Sequence, residues 1–167
     1  MRQVIGFALA LMLAAASPSA ASAQQGDATL AADRLAIENT MHDYIVALDG
    51  SNLDAYLATL TDDARFLSKE GNYHGKQAIA DYVRPVMENR LRRAADGTAT
   101  DRGTRHIVTN TALHFRDANH AVMRSYWMFA VAQKEGGVAI SLIGSAEDHF
   151  VKQDGRWLIE ERHVETL

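Results

Sequence analysis

Apolar residues recur at spacings of three and four along Leu30–Asp49, as Ile37, Met41, Tyr44, Ile45 and Leu48. That period puts them on one stripe and predicts a helix with one buried face, ended by Gly50. Ser51, with Asp54 three residues on, has the form of a capping box and opens a second helix carrying Leu53, Tyr56, Leu57 and Leu60. Thr61-Asp62-Asp63 ends it, and Ala64–Ser68 reads as a short strand. Gly71 and Gly75 bracket a turn holding Tyr73 and His74. A third helix starts near Lys76, with Ile79, Tyr82 and Val83 inward. Pro85 predicts a kink or break in it, and Arg90, Arg92 and Arg93 form a basic end. Residues 94–103 are rich in Gly, Thr, Ala and Asp and predict a mobile loop. From Thr104 the period changes to two. Strands are predicted over 104–115, 121–133, 138–152 and 156–164, with a bulge at Gly144 and a hairpin at Asp154-Gly155. Three helices, one short strand and a four-stranded meander predict an α+β domain.

The N-terminus follows a different pattern. Arg2 precedes the apolar run Val4–Ala16, and Ala21-Ser22-Ala23 forms a small-residue site before Gln24. This is the form of a secretory signal peptide, so residues 1–23 are set apart and 24–167 are expected to form one domain in the periplasm or outside the cell. The apolar run is shorter than the roughly 20 residues a membrane span needs, so no stable membrane insertion is expected after processing. Residues 24–29 are small and polar and read as a loose leader. No cysteine is present, which excludes a disulfide framework despite that destination. With 17 basic and 21 acidic residues the net charge is −4, which argues against a nucleic-acid partner.

Candidate chemistry begins in TRHIVTNTALHF. Strand side chains alternate between faces, so His106, Val108, Asn110, Ala112 and His114 share one face and Ile107, Thr109, Thr111, Leu113 and Phe115 the other. The face with two histidines and an amide either meets solvent or lines a cavity. Arg105 has the opposite parity to His106 and is expected in a surface or interface ion pair. Asp49 falls at the C-terminal end of the first helix, where the helix dipole disfavours an anion and raises its pKa. Asp148 shares a face with Ile140, Leu142, Ala146 and Phe150, so it needs a partner: His106, Tyr126 or an arginine. Tyr44 lies near the Asp49 end of its helix, so its hydroxyl has reach toward a ligand. Glu38, His42 and Asp49 lie near one stripe, too sparse a set for a metal site. No H-E-x-x-H, glycine-rich phosphate loop or G-x-S-x-G elbow occurs, and neither a metal nor another cofactor is expected.

Three stretches carry a resemblance: YIVALDGSNLDAYLATLTDDARF, the RH-x-x-TN at 105–110, and DHFVKQDGRWLIEER. In order and spacing they resemble the SnoaL-like branch of the NTF2-like superfamily. The resemblance implies helices packed on a strongly curved, mainly antiparallel sheet that encloses a pocket. It implies Asp49 and His106 as an acid–base pair in that pocket, with Tyr44, Asn110, Tyr126 and Asp148 as substrate-binding candidates. One position departs: many relatives carry a tyrosine two residues before the Asp-x-Phe aspartate, and here it is Ala146. The implied activity is that of a cofactor-independent dehydratase or isomerase acting on a small, partly apolar or cyclic molecule. The alternatives are a non-catalytic periplasmic ligand-binding domain and a dimeric assembly module. Relatives often dimerise through the outer sheet face, so a homodimer is expected. Trp127 and Phe129, or Tyr126 and Met128, would supply its apolar patch.

Overall fold

The computed structural model describes residues 18–99 and 101–167, with side-chain surroundings for 24–99 and 103–167. The run Val4–Ala16 lies outside the described residues. The chain forms two units, one ending at Ala32 and one spanning Asp33–Leu167. Helix α1 is Pro18–Asp49. Residues 24–29, read above as a loose leader, are therefore helical. Their side chains are exposed.

In the Asp33–Leu167 unit, Ile37, Met41 and Tyr44 are buried, with Ile45 and Leu48 packed against the core, as their spacing predicts. The end of α1 is set by Ser51, which adopts a left-handed φ of 55°. Ser51 therefore closes α1 and is not the N-cap of α2. Asn52 takes that role for α2 (Leu53–Ala58), its side-chain oxygen accepting from Ala55 N–H. Strand β1 (Leu60–Ser68) starts earlier than predicted, directly after α2, and takes in Thr61-Asp62-Asp63. The Gly71–His74 stretch is a strand, β2, paired antiparallel with β1. Helix α3 (Lys76–Ala95) continues through Pro85. Pro85 is exposed, so only one outward hydrogen bond is forgone.

The remaining strands are β3 (Asp101–Phe115), β4 (His120–Gln133), β5 (Val138–Gln153) and β6 (Arg156–Thr166). One curled sheet results, in the order β2-β1-β6-β5-β4-β3, antiparallel except where β1 runs parallel to β6. Asp154 and Gly155 both have positive φ and turn β5 into β6. Buried residues from the inner sheet face, including Met123, Phe150, Trp157 and Ile159, meet the α1 stripe and Ile79, Val83 and Met87 of α3.

Two irregularities decide which side chains point inward. In β3 the register shifts between Thr109 and Ala112, and Asn110 takes a φ of 51°. Asparagine tolerates that conformation better than most residues. The bulge reverses the parity, so Leu113 is buried while Asn110, Ala112 and His114 are exposed. In β5 the extra residue is Ser141, between the pairs Phe129–Leu142 and Ala130–Ile140, not Gly144 as predicted. Gly144 answers to packing: a Cβ there would meet the Trp127 ring at 2.8 Å and the Glu165 carbonyl.

Candidate active site

Asp49 ends α1, and His106 lies on β3 before the bulge. They are brought together from 57 positions apart. The His106 Nδ1 lies 2.6 Å from Asp49 Oδ1, and the His106 backbone N–H donates to Asp49 Oδ2 at 2.9 Å. A carboxylate only accepts, so Nδ1 carries a proton, and in the neutral imidazole Nε2 keeps its lone pair. The Asp49 side chain is 7% exposed and that of His106 22%. Arg90 of α3 donates from Nη1 to the carbonyls of Leu48 (2.9 Å) and Asp49 (3.3 Å), tying down the helix end that carries the carboxylate. Burial raises the Asp49 carboxyl, but the two His106 hydrogen bonds, the imidazole and Arg90 together outweigh it. Its pKa lies below the usual aspartate range, opposite to the rise expected from helix position alone. Asp49 is an anion at neutral pH, suited to orienting the imidazole rather than to exchanging protons.

Two hollows flank this pair. One, about 380 Å³, lies between α1 and β3 and is lined by His106 with Met41, Ile45, Val108 and Met123. The other, about 530 Å³, lies between the end of α3 and the start of β3 and is lined by Asp49, Phe129 and three arginines. The Phe129 ring sits 4.8 Å from the His106 ring, tilted against it. Arg105 lines the second hollow and not the one lined by His106. It lies on the edge strand, and its Nη1 donates to the Thr104 carbonyl.

The other predicted site residues fall in two places. Asp148 and Tyr44 belong to a buried polar cluster. Arg162 Nη1 donates to Asp148 Oδ1 at 2.6 Å and approaches Met41 Sδ at 3.6 Å. The guanidinium lies 5.0 Å from the Tyr44 ring, and the Tyr44 and Tyr56 hydroxyls are 2.9 Å apart. Burial raises Asp148 above the usual carboxylate range although Arg162 acts against it, and burial also raises both tyrosines. Asp148 thus finds an arginine, not His106 or Tyr126, and its Oδ2 has no hydrogen-bond partner among the described residues. Asn110 and Tyr126 line a separate hollow on the outer sheet face with Arg124 and Glu147, so the bulge and strand parity remove them from the His106 side. Arg90 and Arg162 were missed as site residues. Arg90 was visible only as part of a basic helix end, and Arg162 only as the last letter of a strand motif. Among the described residues no group of three or more His, Asp or Glu is arranged to hold a metal ion.

The SnoaL-like domain pattern matches residues 29–163. No curated protein sequence matches the chain. Solved structures share its fold. A scytalone dehydratase candidate from Novosphingobium aromaticivorans is 24% identical, with 84% of this chain and 88% of that chain covered and a TM-score of 0.67. An NTF2-like protein with a cystatin-like fold from the same organism is 16% identical, with coverage of 86% and 88% and a TM-score of 0.69. A hexachlorocyclohexane dehydrochlorinase from Novosphingobium barchaimii is 18% identical, with coverage of 84% and 90% and a TM-score of 0.66.

Proposed function

Because the chain belongs to the SnoaL-like domain family, we propose that it is an acid–base enzyme, a dehydratase or isomerase, with His106 as the reacting group and Asp49 as its orienting partner. The observation that carries this reading is the 2.6 Å contact between His106 Nδ1 and Asp49 Oδ1, which leaves Nε2 as a base at a partly open hollow. In dehydration, Nε2 takes a proton from a carbon next to the one bearing the hydroxyl. The C–H electron pair becomes the new double bond, and the hydroxyl leaves as water with the proton that the imidazolium gives back. In isomerisation, the imidazolium returns its proton to a different carbon. Both reactions need one proton removed and one delivered in an enclosed site. The apolar walls given by Ile45, Val108 and Met123 suit a small, partly apolar or cyclic substrate. Fold neighbours named for dehydration and dehydrochlorination support an elimination.

The test is a screen of small hydroxy-ketones, enols and cyclic alcohols for loss of water or double-bond migration. His106→Ala should lower turnover by about 100- to 10,000-fold, the usual effect of losing a proton-transfer group. Asp49→Asn should lower it strongly, because an amide does not fix the same tautomer. An active His106→Ala variant would refute the assignment.

Two further expectations belong to this reading. The chain is exported and cleaved after Ala23, which mass measurement of the periplasmic fraction tests by a chain starting at Gln24. The protein is a homodimer through the outer sheet face, where Ile107, Tyr126 and Ile143 are exposed. Light scattering tests this, and a monomer at micromolar concentration would overturn it.

A further inference from the structure

We infer that the hollow between the end of α3 and the start of β3 binds an apolar carboxylic acid, with the carboxylate at the arginines and the hydrocarbon body over Phe129. Three observations converge there. First, Arg90 and Arg105 both line the hollow, and the one acidic residue lining it among the described residues is Asp49. The Asp49 carboxylate is already engaged by two His106 hydrogen bonds. Arginine stays charged at any ordinary pH and presents five donors in a planar fork that matches a carboxylate. The bonds of Arg90 to Leu48 and Asp49 and of Arg105 to Thr104 each use Nη1, so in both residues donors remain at Nε and Nη2.

Second, Val86, Leu91, Phe129 and Val131 give the hollow an apolar side, beside the polar Ser51, Asn89 and Thr104. Inorganic phosphate would leave that surface unused. An acid with a ring or short hydrocarbon body fills both parts, and about 530 Å³ is within the range of small-molecule sites. Third, the hollow reaches the reacting pair, since Asp49 lines it and the Phe129 ring lies 4.8 Å from His106. Naming this acid as the substrate class rests on the acid–base reading above. The binding itself does not.

The probe is 1-naphthoate, titrated into the isotopically labelled full chain and followed by backbone amide shifts at Thr104, Phe129 and Val131. The neutral analogue 1-naphthalenemethanol and inorganic phosphate are titrated in parallel. Naphthoate should bind about 10- to 100-fold more tightly than the alcohol, the ratio expected for one charge-assisted contact. Arg105→Gln lies at an exposed edge and should preserve the fold. It should weaken naphthoate by about tenfold and leave the alcohol unchanged. Equal binding of acid and alcohol, binding of phosphate but not naphthoate, or binding of none of the three overturns the assignment. Naphthoate binding in a protein that turns over no substrate removes the acid–base reading and leaves this one standing. Turnover of neutral substrates without naphthoate binding does the reverse.

Discussion

Arg162→Met removes one partner of the most buried ion pair among the described residues. Asp148 is 0% exposed and Arg162 6%, and their contact is 2.6 Å. With charge centres about 4 Å apart and an effective dielectric near 20, the attraction is about 4 kcal/mol. Removing the guanidinium leaves both Asp148 oxygens unpartnered, because Oδ2 already lacks a bond among the described residues. The expected loss is about 3–5 kcal/mol, the usual result of stranding one buried charge. Part of that is the contact with the Tyr44 ring, about 0.5–2 kcal/mol. That part is also lost in the Asp148→Asn/Arg162→Met double variant, so it cancels from the coupling. The double variant replaces the stranded charge by a neutral amide and should lie about 1–3 kcal/mol below wild type. A coupling energy near 2 kcal/mol or more follows from the cycle. Urea unfolding followed by Trp127 and Trp157 fluorescence and by circular dichroism measures all four proteins. The sign of the pH dependence is a second check. Asp148 holds its proton more tightly folded than unfolded. Its contribution therefore falls as pH rises from the unfolded carboxylate pKa through the higher folded one. Removing Arg162 moves the folded pKa further up, so the Arg162→Met deficit should shrink between pH 7 and pH 5. A coupling below about 0.5 kcal/mol, the error of such cycles, or a deficit that does not change with pH, would refute the reasoning.

Gly144→Ala should cost about 1–3 kcal/mol or more and shift Trp127 emission, because the new methyl meets the Glu165 backbone carbonyl as well as the Trp127 ring. The depressed Asp49 pKa gives stability that is complete above the unfolded aspartate pKa and is lost as pH falls through the folded one. Asp49→Asn should therefore cost about 2 kcal/mol at neutral pH and flatten the acid limb of a stability–pH profile below about pH 4; an unchanged acid limb would contradict the assignment. Tyr44→Phe strands the buried Tyr56 hydroxyl and should cost about 1–3 kcal/mol in urea unfolding, whereas loss below a few tenths would show the hydroxyl pair to be neutral.

The α1 stripe, the α3 stripe and the strand meander were legible because each rests on a period of 3.6 or 2, a property of neighbouring residues that local geometry imposes. The Asp154-Gly155 turn was legible for the same reason, since left-handed φ is permitted to few residues. Parity failed where it was carried past an irregularity. Nothing in VTNT announces that Asn110 turns left-handed, and that one residue moves Asn110, Ala112 and His114 to the outer face while His106 stays inward. The pairing of Asp49 with His106 was inferred from resemblance, not from spacing, because 57 intervening positions carry no local constraint. The protonation state of Asp49 was not legible at all. Helix position alone favours a raised pKa, and only the fold places two His106 donors and Arg90 around the carboxylate and reverses the sign. The same holds for the partner of Asp148. An apolar strand face demanded some counter-charge, but which one depended on how β6 lies beside β5, and the register placed Arg162 directly opposite. Periodicity is set by the backbone within a turn or a strand, whereas charge partners are set by which strands lie side by side.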